Sequence, residues 1–116
     1  MNKKEDKLIF ENEKIRNHLD YIKSYQNGRI NMKSKNYAAA KNIFENCLIF
    51  SENNNDKIKQ MDTLISLGYS QLHLNQYQDS AYSLSKSLEI CEIYLNDSNN
   101  IEKNNFSKYN FIFKSD

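Results

Sequence analysis

Gly28 and Gly68 are the only glycines in the chain, and they stand 40 residues apart in matching surroundings. At that same offset Tyr25 meets Ile65, Met32 meets Leu72, Tyr37 meets Tyr77, Ala40 meets Ser80, Phe44 meets Leu84, Cys47 meets Ser87 and Leu48 meets Leu88. Large residues match large ones and small match small. This is an internal repeat, and it constrains the fold more than any other feature. A repeated unit of this size cannot bury its apolar face alone, so each copy must stack on its neighbour.

The spacing inside each unit is helical. In Leu64–Ile90 the residues Leu64, Leu67, Gly68, Leu72, Tyr77, Ser80, Ala81, Leu84, Ser87 and Leu88 recur three, four or seven apart. That is the period of helices with one buried face. The absence of proline and the modest β-branched content favour helix over sheet. Asn is abundant and prefers caps and turns, so the helices must draw their stability from packing. The expected fold class is all-α, with 116 residues forming one domain around a single core.

Each matched position has a physical role. Gly28 and Gly68 lack a Cβ and let the first helix of a pair approach the second, with the small residues Ala40 and Ser80 expected opposite them. Tyr37 and Tyr77 follow polar turns (Lys35-Asn36 and Asn75-Gln76) and are expected to wedge between the paired helices. Phe44 and Leu84 fill the space between, while Cys47 and Ser87 stay small where the next helix crosses. Ridge-into-groove packing needs such alternation of bulk. All of these residues are read as core.

The flanks extend the pattern. Leu8, Ile15, Leu19 and Ile22 share one side of a helix beginning at Glu5, which either ends near Asn17 or runs straight into the next helix, since no proline or glycine interrupts it before Gly28; a break near Asn17–His18 is the expected reading. The chain then divides into an N-terminal helix (5–19), a first repeat (20–55), a second repeat (56–96) and a capping helix (100–114) after the turn-forming NDSNN cluster. In that last segment Ile101, Phe106, Tyr109 and Phe113 have helix-compatible spacing, although Tyr109, Phe111 and Phe113 also alternate as in a strand. A capping helix is the expected reading, because the end of a stacked array exposes an apolar face.

The Leu-Gly pair, the Tyr after the turn and the small and large residues that follow resemble a tetratricopeptide repeat, most specifically in the second unit. The consensus proline is replaced by Glu52 and Glu92, and the usual aromatic of the first helix by Asn31 and Gln71. A period of 40 with Asp56 and Asp97 between units resembles the extended subclass, which includes spindle-orientation adaptors, kinesin light chains and Rap-type regulators. SENNNDK and the Leu95–Asn100 stretch are expected to carry the extra length. The resemblance implies a right-handed helical-hairpin solenoid over about residues 20–96.

Charge and composition exclude several function classes. A net charge of +1 with interspersed signs lacks the basic stripe of a nucleic-acid or membrane-surface binder. No segment has the length and hydrophobicity of a membrane span. The charged start MNKKEDKLIFENEK is unlike a signal peptide, and the expected location is cytoplasmic. The two N-x-S tripeptides at Asn96 and Asn105 are then read as chance matches.

No catalytic constellation emerges. His18 and His73 are isolated from one another and from any metal-ligand spacing, and two glycines cannot build a phosphate-cradling loop. Cys47 and Cys91 are read as small thiols on apolar helix faces. The expectation is a non-enzyme without metal or cofactor.

The resemblance implies that the binding surface is the concave face lined by the first helix of each pair. Its inward positions map to Ile22, Tyr25, Arg29, Met32 and Lys33 in the first repeat, and to Asp62, Ile65, Tyr69, Leu72 and His73 in the second. Tyr25, Arg29 and Tyr69 are expected to be exposed, whereas Met32, Ile65 and Leu72 could equally pack between helices. Such a face suits an extended or helical peptide. The two-carboxylate clamp of chaperone-tail binders is missing, since its positions hold Tyr25, Arg29, Ser66, Glu102 and Phe106. The expected function is a protein–protein interaction module, an adaptor or complex subunit. The alternatives are a peptide-responsive regulator of Rap type and a structural subunit that forms a homo-oligomer through its C-terminal aromatic helix.

Overall fold

In a computed structural model, residues 2–99 are described, and the expected capping helix at 100–114 lies outside them. The described residues form four α-helices and no strand: α1 (Lys3–Lys33), α2 (Tyr37–Asn53), α3 (Lys57–His73) and α4 (Tyr77–Asn99). None is long and apolar enough to cross a membrane. Consecutive helices pack against each other, and α3 also touches α1 through the side chains of its inner face.

Three turns of one design join the helices. Each of the first three helices is followed by a residue in the left-handed region: Lys35 (φ 64), Asn55 (φ 51) and Asn75 (φ 62). In the first turn Lys35 N–H donates to the Met32 carbonyl and Asn36 N–H to that of Asn31. Asn55 to Glu52 and Asp56 to Ser51 repeat the pattern in the second turn, as do Asn75 to Leu72 and Gln76 to Gln71 in the third. These are Schellman caps, which satisfy the last carbonyls of a helix and reverse the chain within a few residues. Asp56 then starts α3 by accepting a hydrogen bond from Lys59 N–H at 3.1 Å. The 40-residue period is therefore filled by long helices, not by loops: Ser51–Asn53 complete α2, and Leu95–Asn99 lie in α4.

The expected break near Asn17–His18 is absent, and α1 runs unbroken for 31 residues, about 46 Å. Arg16 and Asn17 stand where the repeat offset puts Asp56 and Lys57, but no αL residue with a capping partner precedes them to stop the helix. Every residue from Asn2 to Asp20 is exposed, and burial begins at Tyr21. The N-terminal half of α1 thus projects beyond the packed body.

The core is centred on Ala40, Phe44 and Leu67, with Tyr25, Met32 and Leu48 against it. The glycines carry out the close approach expected of them. A Cβ on Gly28 would lie 2.6 Å from Phe44 Cε1, and one on Gly68 would lie 2.8 Å from Leu84 Cδ2. Phe44, not Ala40, is therefore what Gly28 admits. The two interfaces differ in chemistry. Ala40 and Cys47 make the α1–α2 contact apolar, whereas Ser80, Ser83 and Ser87 are buried between α3 and α4. Those three hydroxyls donate to the Gly68 carbonyl (2.7 Å), Gln71 Oε1 (2.7 Å) and the Met61 carbonyl (3.0 Å), so their burial is satisfied. Ser87 is small because α3, the preceding helix, lies against it.

Several residues expected in the core are exposed. Leu72, Tyr77, Ala81 and Leu88 lie on the side of the α3–α4 pair away from α1 and α2, where no described helix covers them. Their counterparts Met32, Tyr37 and Leu48 are half-buried because α3 packs over the first pair.

Candidate functional site

A groove of about 260 Å³ opens between α1 and α3. Arg29, Met32 and Lys33 form one wall, Ser66 and Tyr69 the other, and Phe44 of α2 the floor. Arg29 and Lys33 sit four residues apart on one face of α1, which sets their charged ends side by side. Neither makes an ion pair among the described residues. Tyr69 presents a half-exposed ring (51%) opposite them. Two cations, an aromatic face and an apolar floor suit a ligand combining a carboxylate with an apolar side chain.

The groove gathers Arg29, Lys33 and Tyr69, together with Met32, from the residues marked in the sequence. It does not gather the others. Tyr25, expected to be exposed, is half-buried: its hydroxyl is 2.7 Å from Ser66 Oγ, and its ring centroid is 5.5 Å from that of Phe44. It ties α1 to α3 beneath the groove. His73 lies flat on Tyr37 with ring centroids 4.3 Å apart, covering the start of α2. Ile22 is half-buried on α1, while Asp62 and Ile65 are exposed on α3, outside the groove walls. Leu72 is exposed at the far end of α3.

One turn below Tyr25, a second bridge fixes the spacing of the walls. Tyr21 Oη lies 2.7 Å from Thr63 Oγ1, and the ring stacks on Phe50 at 5.8 Å. Burial pushes the Tyr21 phenol up to about 12, against the opposing effect of the Thr63 hydrogen bond. Lys59 places its ammonium over the same ring at 4.9 Å, beside His18 Nδ1 and 3.4 Å from Asp56. Burial likewise raises the Cys47 thiol, leaving it protonated and inert within the core. Among the described residues, no three His, Cys, Asp or Glu side chains come together.

A larger cavity of about 410 Å³ lies between α2 and α4, over α3, and sequence reasoning missed it. Four of its polar residues are paired with one another: Lys41 lies 4.0 Å from Glu45, and Ser83 donates to Gln71 Oε1. Ser66 was the other omission. It falls three residues before Tyr69 and so on the same helix face, a signal legible in the spacing. In comparisons with known proteins, no family model, no curated protein and no solved structure matches the chain.

Proposed function

We propose that the chain is an interaction module of the tetratricopeptide type, a cytoplasmic adaptor or complex subunit whose α1–α3 groove grips a peptide or helix. The observation that carries this reading is the placement of Arg29 and Lys33, free of ion pairs among the described residues, opposite Tyr69 and above Phe44. Stacked helical pairs leave such a channel between their first helices, and the repeated glycine contacts and Schellman turns support that architecture here. The ligand is an acidic segment with an apolar anchor. The carboxylates meet the α1 cations, and the anchor enters beside Met32 and Tyr69.

The test is selection from a displayed random-peptide library on the full chain, followed by affinity measurement. Enriched peptides should carry Asp or Glu near an aromatic or aliphatic residue. The Arg29→Ala/Lys33→Ala/Tyr69→Ala variant, at unchanged helicity, should bind them at least about tenfold more weakly. Peptides without acidic residues, or equal binding by the variant, would refute the reading.

A further inference from the structure

We propose that the projecting half of α1 is a dimer contact, at which two copies of this chain pair as a parallel, in-register coiled coil. Leu8, Asn12, Ile15, Leu19 and Ile22 follow one another at spacings of four, three, four and three, the spacing of a heptad seam. All five lie on one unbroken helix. Leu8, Ile15 and Leu19 are 63%, 57% and 51% exposed, and Ile22 is half-buried where the seam meets the packed body. The face of α1 that packs on α2 and α3 carries Tyr21, Tyr25 and Gly28, about 130° round the helix from the seam. A second α1 laid along the seam therefore leaves the two bodies pointing away from each other.

Among the described residues nothing covers these side chains. Leu8-Ile9-Phe10 repeats Leu48-Ile49-Phe50 at the 40-residue offset. In α2, Leu48 packs against the cluster that holds Leu67, but the counterpart of Leu67 on α1 is Asn27, polar and exposed. An uncovered helix of this length is marginal in water, so pairing stabilises it. The seam also selects its partner. In a parallel pair each residue meets the same residue of the second copy, so the four apolar positions form matched layers and the two Asn12 amides hydrogen-bond to each other. One Asn in such a seam fixes register and strand number. An antiparallel pair that matches Leu8 with Leu19 sets Asn12 on Ile15 and Glu5 on Ile22, leaving polar groups against apolar ones. Charge favours the same partner. Glu11 of each copy flanks the seam opposite Arg16 of the other, and neither residue makes an ion pair among the described residues. The remaining flanking pairs, Lys4 with Ile9 and His18 with Lys23, bring no like charges together while His is neutral. The proposal is independent of what the α1–α3 groove holds.

Analytical ultracentrifugation of the full chain provides the test. It should sediment as a dimer at about 100 µM and dissociate on dilution. Glu11→Lys and Arg16→Glu should each weaken dimerisation about tenfold, since both flanking pairs turn from attraction to repulsion. An equimolar mixture of the two variants should recover the original affinity, because each chain then meets the opposite charge on the other. Residues five apart on one helix do not face each other, so a monomer has no such coupling. Orientation is read from a disulfide. In full-length Cys47→Ser/Cys91→Ser protein, Asn12→Cys should oxidise to a linked dimer at least about tenfold faster than Glu13→Cys, which lies on another face. A chain that stays monomeric at about 100 µM would overturn the proposal. So would a dimer indifferent to both charge changes, which places the contact elsewhere, or equal linkage rates for the two cysteines, which removes the parallel register.

Discussion

Replacing Gly28 by Ala tests the contact on which the first helical pair depends. The added methyl would lie 2.6 Å from Cε1, 2.8 Å from Cζ and 3.1 Å from Cδ1 of Phe44. That ring has no room to retreat: Phe44 is fully buried and packed against Tyr25 and Leu67. Overpacking a core costs about 1–3 kcal/mol, and a rigid ring below van der Waals distance belongs in the upper part of that range. Ala is the better helix former by about 1 kcal/mol, which leaves a net loss of about 1–2 kcal/mol. Gly68→Ala is the internal comparison. Its methyl would meet Leu84 Cδ2 and Cγ at 2.8 Å, but Leu84 is half-buried and can turn toward its open side. Strain and propensity should nearly cancel there, so the change should fall within about 0.5 kcal/mol of zero. Urea denaturation followed by far-UV circular dichroism would measure both, and Phe44→Leu supplies a double-mutant cycle. In the Gly28→Ala background the smaller side chain should relieve the clash, giving a favourable coupling of about 1 kcal/mol or more. A Gly28→Ala protein as stable as the original, with no coupling to Phe44, would refute the argument.

Two further outcomes follow from backbone and charge. Lys35 holds a left-handed conformation with a full side chain, while the equivalent turns use Asn55 and Asn75. Lys35→Gly should therefore raise stability by about 0.5–1 kcal/mol, read from the denaturation midpoint at constant slope, with a smaller gain for Asn75→Gly. For Tyr21, the folded phenol titrates near 12 instead of the ordinary 10.0. The folded state then binds this proton more tightly than the unfolded chain. Its contribution is fully present below pH 10 and is lost as the pH rises through 12. Tyr21→Phe, lacking the Thr63 hydrogen bond, should be about 1 kcal/mol less stable than the original at neutral pH. That deficit should shrink and reverse between pH 10 and 12, and a constant difference across that range would contradict the burial argument.

The all-helical class was legible in the sequence because it rests on local chemistry: helical periodicity, absence of proline, and Asn-rich turns at regular intervals. The glycine contacts were legible too, since a residue without a Cβ placed twice at one offset has a steric reason to be there. Arg29, Lys33 and Tyr69 belong to the expected groove through the tetratricopeptide resemblance, and helix spacing adds only that Arg29 and Lys33, four residues apart, share a face of α1.

What only the tertiary structure decided depends on which neighbour covers which face. Periodicity assigns Leu72, Tyr77 and Leu88 to an apolar side of their helices, but burial requires a partner, and among the described helices only the first pair has α3 over it. Tyr25 looked like a ligand contact because an aromatic residue on the inner face can do either job. Its hydroxyl is held instead by Ser66, 41 residues away, a pairing that no local pattern encodes. The sequence left the choice between a broken and an unbroken α1 open, because stopping a helix takes a left-handed residue and a cap together, and the repeat offset marks only where they would stand. The buried serines of α4 look polar to any hydropathy scale. They are core because the carbonyls of Gly68 and Met61 and the amide oxygen of Gln71 lie within hydrogen-bond reach, and that proximity exists only once α3 and α4 are packed.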